Sequence, residues 1–399
     1  MLTPAAPKKL FLLDAYALIY RAYFAFAKNP RVNSRGENTS AAFGFTNVLI
    51  DVLKTEQPTH IAVVFDPPGG SVQRQEEYVE YKAQREQMPE DIRSMIQPIK
   101  QIVKAFNIPI LEVAGYEADD VIGTFAKLAE PRGFTTYMMT PDKDYAQLVS
   151  PQTFIYKPGR GGNPPEILGV KEVCEKFEIN APIQVIDILG LWGDASDNIP
   201  GIPGIGEKTA KALVAKYGSM EGLFANVHEL KGRQKENVEQ FQQQGLMSKS
   251  LATIIRDVPI EFDEKDLKVC PVNADAIRDI FTELEFRTLA KRIIGEELVV
   301  TQAPGNKEEA QLDLFGMQSM LEPQYAAPTA SYKTIATEKP SYHLITSAEE
   351  RKELLALLLV QSEVCFDTET NSIDALHADL VGFSFSYKPR EAFYVAVPA

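Results

Sequence analysis

The chain has 399 residues, of which 45% are hydrophobic and 24% charged, and this length predicts two or three soluble globular domains. No run approaches the roughly 20 apolar residues that a membrane span needs, and the N-terminus lacks the apolar core of a signal peptide. The formal net charge of −14 excludes a uniformly basic protein, although a local basic track would still bind nucleic acid.

Three short apolar runs in the first half of the chain end in aspartates. KKLFLLD ends at Asp14, HIAVVFD ends at Asp66, and FTTYMMTPDKD ends at Asp142 and Asp144. Their β-branched and aromatic residues predict buried strands. Because ligand sites of parallel sheets lie at the carboxyl ends of the strands, we expect these carboxylates to share a site. A single Asp after a strand would also be ordinary turn chemistry.

Helical periodicity lies between these strands, over residues 41–56 and 92–106. Strands that alternate with helices predict an α/β fold with a mostly parallel sheet and helices on both faces. After residue 185 the sequence is punctuated by Gly and Pro and then helical to about residue 295. Residues 301–340 are polar and aperiodic, which predicts a linker. Beyond it, EERKELLALLLV predicts a helix, and VCFDTET, DLVGFSFSY and AFYVAV predict strands of a second α/β domain.

The stretch GYEADDVIG (115–123) places Glu117, Asp119 and Asp120 where an apolar helix begins. Acids at a helix N-terminus complement the helix dipole, and Asp is a natural cap. That interpretation accounts for one or two acids better than for three, because like charges at this spacing repel. A bound cation would convert the repulsion into affinity.

Nine carboxylates occupy positions of this kind: Asp14, Asp66, Glu117, Asp119, Asp120, Asp142, Asp144, Asp194 and Asp197. Any one of them alone would fit a cap or a turn, but nine could not stay ionised in one cleft without cations. An all-oxygen site suits Mg²⁺ or Mn²⁺ better than zinc. Two such ions about 4 Å apart activate water and stabilise both oxygens in phosphodiester cleavage. We therefore expect a two-metal site.

The stretch GIPGIGEKTA (201–210) is not a Walker A loop, because Glu207 separates Gly206 from Lys208. It predicts a tight hairpin between two helices, with its glycines at positive φ. Backbone N–H groups at the start of the second helix would then face a phosphate. The candidate DNA-binding residues here are Gly201, Gly204, Gly206, Lys208, Thr209 and Lys211.

The stretch SVQRQEEYVEYKAQREQMPEDIR, which begins at residue 71, interleaves basic and aromatic residues. Arg74, Lys82 and Arg85 would contact phosphates, and Tyr78 and Tyr81 would stack on unpaired nucleotides. An ordinary solvated helix face is the alternative interpretation.

Seven motifs resemble one family: LLDAYALIYRAYFA, VVFD, EYKAQR, GYEADD, TPDKDYAQL, GDASDNIPGIPGIGEKTA and LEF (284–286). Together they resemble the 5′-nuclease (flap endonuclease) domain at the N-terminus of bacterial DNA polymerase I, over about residues 8–295. The resemblance implies that the nine acids hold two or three Mg²⁺ or Mn²⁺ ions. It also implies that the hairpin binds duplex DNA, often with K⁺, and that Lys82, Arg85 and Arg21 contact the scissile phosphate region.

The resemblance also implies a domain organisation. Residues 1–190 would form a PIN-like catalytic α/β domain with a helical arch at about 71–100 that admits a 5′ flap. Residues 191–300 would form a helix-hairpin-helix subdomain, 301–340 a linker, and 341–399 a truncated, ribonuclease H-like 3′-5′ exonuclease domain. In this last part Asp367 and Glu369 resemble the first exonuclease motif, and we expect no proofreading activity from them alone.

The leading hypothesis is a structure-specific 5′ nuclease that removes RNA primers and 5′ flaps by two-metal hydrolysis. We expect it to be a monomer that binds flapped, nicked or RNA-primed DNA and no membrane. A non-catalytic DNA-binding relative and a small-molecule phosphohydrolase are the alternatives. The scattered cysteines (Cys174, Cys270, Cys365) lack a CxxC pair, so we expect a reducing, cytoplasmic location without disulfides or zinc.

Overall fold

The computed structural model describes residues 7–159, 163–295, 341–370, 379–388 and 390–397. The chain forms two compact units, of which the first contains the described residues up to 295 and the second those from 341. The predicted linker, 301–340, lies outside the described residues. In the part that is described, every helix is too short or too polar to cross a membrane.

The first unit is built on a six-stranded sheet with the order β3-β2-β1-β4-β5-β6. The strands are β1 (Lys8–Asp14), β2 (His60–Val64), β3 (Ile110–Leu111), β4 (Phe134–Met139), β5 (Thr153–Lys157) and β6 (Glu166–Leu168). All pairings are parallel except that of β6 with β5. The predicted, mostly parallel sheet is confirmed, and the three predicted strands are β1, β2 and β4. The short β3 and β6 leave no periodic pattern in the sequence.

The described part of the first unit contains thirteen α-helices. They are α1 (Ala15–Ala25), α2 (Ser40–Asp51), α3 (Val72–Glu77), α4 (Glu90–Ala105), α5 (Ala118–Ala129), α6 (Val170–Phe177), α7 (Val185–Trp192), α8 (Glu207–Tyr217), α9 (Met220–Ala225), α10 (Gly232–Gln240), α11 (Gln242–Ala252), α12 (Ala274–Glu283) and α13 (Arg287–Ile294). The predicted helix 41–56 is α2 followed by a π-helical turn over Val52–Glu56, and the predicted helix 92–106 is α4.

The alternation of side chains along β1 divides the core into two layers. Leu10 and Leu12 pack with α5 and α7 on one face, and Phe11 and Leu13 pack with α1, α2 and α4 on the other. All four are fully buried, as expected for a parallel strand that is covered on both faces. The strand-end aspartates are therefore held at the edge of a rigid, two-layered core.

The last two helices of the first unit differ from the predicted subdomain boundary. Ile277 and Phe281 of α12 and Leu289 of α13 belong to the same core layer as α1, α2 and α4. Residues 274–294 therefore pack against the α/β core, whereas the sequence placed them with the hairpin in a 191–300 subdomain. Helices α7 to α11 carry the hairpin part.

The segment 71–100, predicted as a helical arch, is helical only at its two ends. Helix α3 ends at Glu77, α4 begins at Glu90, and the residues between them form turns and irregular backbone. Lys82 has a φ of +56°, in the left-handed region that a continuous helix does not use.

The second unit is a four-stranded sheet with one helix. Its elements are β7 (Ser341–Ile345), α14 (Ala348–Leu359), β8 (Cys365–Thr370), β9 (Leu380–Lys388) and β10 (Glu391–Ala396), with the strand order β7-β10-β9-β8. The predicted helix and three strands are confirmed, and β7 was not predicted. The buried core contains Ile345, Leu354 and Phe393. Phe366 is 57% exposed, so this unit buries few apolar side chains.

Candidate metal centre

Asp14 ends β1 and caps the helix that follows. Its Oδ1 accepts a hydrogen bond from the backbone N–H of Ala17 at 3.2 Å. Burial, followed by the negative charges of Asp66 and Asp142, raises the pKa of Asp14 from 3.8 to about 7. The ionised form of this carboxyl group is therefore costly, and a cation would stabilise it.

Asp66 and the first turn of α5 lie beside Asp14. Oδ1 of Asp66 accepts from the backbone N–H of Ala118 at 3.0 Å, at the first residue of α5. Burial raises the pKa of Asp66, and the charge of Glu117 adds to the effect. Burial and the neighbouring Asp120 raise the pKa of Asp119 well above its usual value. The fold thus brings GYEADD to the strand ends, as the sequence predicts.

The loop after β4 adds Asp142 and Asp144. Oδ1 of Asp142 accepts from the backbone N–H of Asp144 at 3.0 Å. Desolvation in the cleft raises the pKa of both, with further repulsion on Asp144 from Asp142 and Asp194. Oδ1 of Asp144 is buried and has no hydrogen-bond partner in the described part of the chain. A buried carboxylate oxygen without a partner is unfavourable unless it gains a proton or a cation.

Glu117 differs from the aspartates described above, because the cationic side chains of Lys82 and Arg74 already contact it. Its Oε2 accepts from Lys82 Nζ at 2.8 Å, from Arg74 Nη1 at 3.1 Å and from the hydroxyl of Tyr81 at 3.0 Å. Burial acts to raise the pKa of Glu117, but Lys82 and Arg74 outweigh it and lower the pKa.

Asp194 and Asp197 in the WGDASDN loop are paired in the same way. Asp194 accepts from Lys143 Nζ at 2.7 Å, and this cation, together with Ser196, lowers the pKa of Asp194 against the effect of burial. Asp197 forms an ion pair with the guanidinium of Arg85.

Asp120 and Arg74 form a buried pair, which corrects two predictions. The two carboxylate oxygens of Asp120 accept from Arg74 at 2.7 and 2.9 Å and from the backbone N–H groups of Ile255 and Glu117. These four bonds use the acceptor positions of the carboxylate, so Asp120, predicted to bind a metal, holds the fold instead. Arg74, predicted to contact DNA, is 3% exposed and also donates to backbone carbonyls of residues 251–253.

Tyr81, predicted to stack on nucleotides, is also buried. Its hydroxyl donates to Glu117 at 3.0 Å and to Asp197 at 3.4 Å. The ring therefore packs behind the acids and offers no stacking surface. Tyr78 is partly buried, and its hydroxyl donates to Glu80 at 3.0 Å. Its role in stacking stays a prediction.

The turn over residues 80–85 lies on the loop that carries Asp197. The backbone N–H of Lys82 donates to the carbonyl of Asp197 at 3.0 Å, and the side chain of Asn198 donates to the carbonyl of Glu80 at 2.7 Å. Lys82 Nζ lies 3.5 Å from the carboxylate of Asp197. Lys82 and Arg85 thus stand at the edge of the acid cluster, whereas Arg21 donates to the carbonyls of the 158–159 loop.

The hairpin joins α7, which ends at Trp192, to α8, which begins at Glu207. Gly201 and Gly204 have positive φ values of 61° and 78°, as predicted. Gly201 is required there, because a Cβ would lie 2.5 Å from the backbone nitrogen of Gly193. Gly206 caps α8 with a φ of −89°, so the prediction of positive φ is wrong for this glycine.

The three polar side chains predicted to contact DNA from α8 differ in accessibility. Lys208 is exposed and Thr209 half-buried. Lys211 instead pairs with Glu207 at 2.8 Å and donates to the carbonyl of Lys176 at 3.1 Å. Of these three side chains, Lys208 is therefore the most accessible, and its contact with DNA stays a prediction.

Several site residues were not found from the sequence. Lys143 neutralises Asp194, and the hydroxyls of Thr140 and Tyr145 donate to Asp14 at 3.1 and 3.0 Å. All three lie in TPDKDYAQL, so the motif was visible. The partner of Thr140 and Tyr145 follows from the pairing of β1 with β4, whereas the partner of Lys143 lies on the loop after α7.

The chemistry of the acidic residues fits divalent cations. Among the described residues, no group of three or more His, Cys, Asp or Glu side chains already has the geometry of a metal site. The donors are all carboxylate oxygens, which suit Mg²⁺ or Mn²⁺. Five aspartates have raised pKa values: Asp14, Asp66, Asp119, Asp142 and Asp144. A divalent cation would also give the buried Oδ1 of Asp144 the partner that it lacks in the described part of the chain.

In the second unit, Asp367 and Glu369 lie on β8, two residues apart and therefore on one face of the strand. Both side chains are exposed. Their role as a partial exonuclease motif stays a prediction.

Comparisons with known proteins agree with this architecture. Residues 9–178 match the 5′-3′ exonuclease N-terminal resolvase-like domain, and residues 180–275 match the 5′-3′ exonuclease C-terminal SAM fold. DNA polymerase I of Chloroflexus aurantiacus is 36% identical over 97% of this chain, which spans 41% of that protein's length.

Two solved structures share the fold of the first unit. One is the T5 5′-exonuclease with bound divalent metal ions (zinc), with a TM-score of 0.52 and 19% identity over 72% of this chain and 98% of that one. The other is a bacteriophage T5 D15 flap endonuclease variant with DNA and metal ions, with a TM-score of 0.50 and 18% identity over the same shares. The chain belongs to the 5′-3′ exonuclease family, as the counterpart of the N-terminal 5′-3′ exonuclease region of bacterial DNA polymerase I.

Proposed function

We propose that the first unit hydrolyses phosphodiester bonds in DNA that carries a 5′ flap, a nick or an RNA primer, with two or three Mg²⁺ or Mn²⁺ ions. The observation that carries this proposal is the convergence of five aspartates at the carboxyl edge of the sheet, where Oδ1 of Asp144 is buried without a hydrogen-bond partner in the described part of the chain. The raised pKa values of all five support it. The metal ions bound to the T5 enzymes of the same fold support it. When bound, such ions supply an activated water and stabilise the developing negative charge.

The ions would be held by the strand-end aspartates, by Asp119 of α5 and by the acids of the WGDASDN loop. Asp14, Asp66 and Asp119 would face one part of the cleft, since the charges of all three act on the buried hydroxyl of Tyr145. Asp142, whose charge also acts on Asp14 and Tyr145, would lie between the two parts. Asp144 would face the other part, where Asp194 and Asp197 act on it.

The arch residues Lys82 and Arg85 would bind the phosphate beside the cut. In the structure their cationic groups pair with Glu117 and Asp197 at the edge of the cluster. A phosphate that enters this edge would therefore find two positive groups already held in place. Arg21 of α1, which donates to the carbonyls of residues 158 and 159, would contact the same region.

The hairpin would hold the duplex away from the cut. The N-terminal N–H groups of α8 and the exposed Lys208 offer phosphate contacts that read no base. We include in the proposal a K⁺ ion at this hairpin, bound by the backbone around Gly201 and Gly204.

The test is cleavage of labelled flap DNA with Mg²⁺ and with EDTA, beside single-stranded DNA and a phosphomonoester. Mg²⁺-dependent cutting at the flap junction is the expected result. Binding of flap DNA without cutting in any divalent ion would favour the non-catalytic relative. Hydrolysis of the phosphomonoester alone would favour a small-molecule phosphohydrolase.

A further inference from the structure

We propose that Thr140 and Tyr145 are positioning residues that fix the carboxylate of Asp14 and present only its Oδ1 to a divalent ion. This inference rests on the proposed metal-dependent function. It assigns a role to two uncharged hydroxyl groups that hold a metal ligand in place and do not bind the ion themselves.

The hydrogen bonds around Asp14 define which oxygen is available. Oδ2 accepts two hydroxyl donors, Thr140 Oγ1 at 3.1 Å and the Tyr145 hydroxyl at 3.0 Å. Oδ1 accepts one donor, the backbone N–H of Ala17 at 3.2 Å. A carboxylate has about four acceptor positions, so these three bonds leave one position, on Oδ1. An ion would then bind Asp14 through a single oxygen.

Thr140 also links Asp14 to the next metal-binding loop. Its Oγ1 accepts from the backbone N–H of Asp142 at 3.2 Å while it donates to Asp14. Because β1 and β4 pair in register, with Leu13 opposite Met139, this hydroxyl bridges the carboxyl ends of the two strands. One buried side chain thereby connects the carboxylate of Asp14 to the backbone of Asp142.

Both hydroxyls are held rigidly. Thr140 is fully buried, and Tyr145 is among the largest fully buried side chains of the described chain. A hydroxyl in such a place is unfavourable without a partner, and a Phe at residue 145 would fill the same space. The hydroxyl of Tyr145 is thus explained by its bond to Asp14 and not by packing.

The experiment compares the variants Tyr145→Phe and Thr140→Val with two matched controls. Tyr156→Phe removes the hydroxyl of another buried tyrosine, which donates to Glu56 at 3.2 Å, and Thr46→Val removes a buried hydroxyl that donates to the carbonyl of Ala42. Titration calorimetry with Mn²⁺ on the full chain without DNA measures ion affinity. Flap cleavage at varied Mg²⁺ separates kcat from KM for DNA.

Removing a partner that orients a metal ligand weakens ion affinity by about 10- to 100-fold. We expect at least the lower value for Tyr145→Phe and Thr140→Val, with kcat recovering at high Mg²⁺ and KM for DNA unchanged. Thr140→Ser keeps the hydroxyl and should restore wild-type affinity, which a merely structural role of the side chain would not require. The controls should bind Mn²⁺ as the wild type does.

Wild-type Mn²⁺ affinity in both Tyr145→Phe and Thr140→Val would overturn the inference. Equal losses in Thr140→Ser and Thr140→Val, or in the controls, would also overturn it, because the hydroxyl would then not be the cause. Failure of the proposed function looks different: Asp14→Asn would leave Mn²⁺ affinity and flap cleavage unchanged.

Discussion

The substitution Asp14→Asn should make the stability of the metal-free protein less dependent on pH while it abolishes metal-dependent activity. The pKa of Asp14 rises from 3.8 to about 7 in the folded state, first because of burial and then because of Asp66. Its protonated form therefore fits the fold better. The stability that this group contributes is fully present below pH 3.8 and is lost as the pH rises through about 7.

The size of the effect follows from the pKa difference. Each pKa unit corresponds to about 1.4 kcal/mol, so ionised Asp14 costs about 4 kcal/mol at pH 8. At pH 5, where most of the folded protein keeps the proton, the cost is about 2 kcal/mol. Asn cannot ionise, and it still offers an oxygen to Ala17 as a helix cap. Its amide NH2 replaces the oxygen that accepts from Thr140 and Tyr145, which lowers stability by a similar amount at every pH. Between pH 5 and 8, the gain from Asp14→Asn should grow by about 2 to 3 kcal/mol.

Urea unfolding in EDTA measures this gain. Trp192 is the single tryptophan of the chain and lies in the first unit, so its fluorescence reports on the relevant fold. Asp14→Ala is the matched control. This variant also removes the charge and should show the same pH dependence as Asp14→Asn. It loses all three hydrogen bonds of Asp14, so it should be less stable than Asp14→Asn at every pH. Mg²⁺ should stabilise the wild type more at pH 8 than at pH 5.

Parallel stability curves for the wild type and Asp14→Asn from pH 5 to pH 8 would refute the reasoning. They would mean that Asp14 ionises in the fold as easily as in water. The strand-end aspartates would then need no cation, and the electrostatic support for a metal centre would fall.

The remaining predictions concern chemistry, DNA contacts and the hairpin. Asp119→Asn should lower flap cleavage to background while a filter-binding assay still shows flap binding; near-wild-type cutting would contradict its role in the metal centre. Lys82→Ala should lower kcat more than duplex affinity, whereas Lys208→Ala should weaken affinity and reduce the salt dependence of binding by about one ion, and the reverse pattern would overturn both roles. Gly201→Ala should weaken duplex binding at least tenfold because its Cβ meets backbone at 2.5 Å, whereas Gly206→Ala, with open space at its Cβ, should bind normally.

The main strands and the acid cluster could be predicted because they depend on local patterns. Runs such as KKLFLLD are buried on both faces, so they read as continuous apolar segments. Each run ends in an aspartate at the carboxyl end of a parallel strand, and the topology of such sheets brings those ends together. The convergence of Asp14, Asp66 and Asp142 therefore follows from the fold class.

The position of α12 and α13 could not be predicted in the same way. Their amphipathic pattern requires an apolar partner but does not name it. Phe281 and Leu289 pack with the core layer of α1, α2 and α4. The contact joins the end of the first unit to its beginning, and sequence periodicity contains no information on contacts of that separation.

The roles of Arg74 and Asp120 show the same limit inside the site. Arg74 lies near two tyrosines in the sequence, which predicts a DNA contact. Asp120 lies near two other acids, which predicts a metal ligand. The structure pairs the two side chains and satisfies the rest of Asp120 with the backbone of Ile255, which comes from a distant part of the chain. A charged side chain can bind a ligand only when it does not already form an ion pair or hydrogen bonds within the fold. Counting acids in the sequence therefore overestimates the number of metal ligands, because the sequence does not show which acids pair with buried Lys or Arg. In this site Asp144, with its unpartnered oxygen, is stronger support for a bound cation than Asp120.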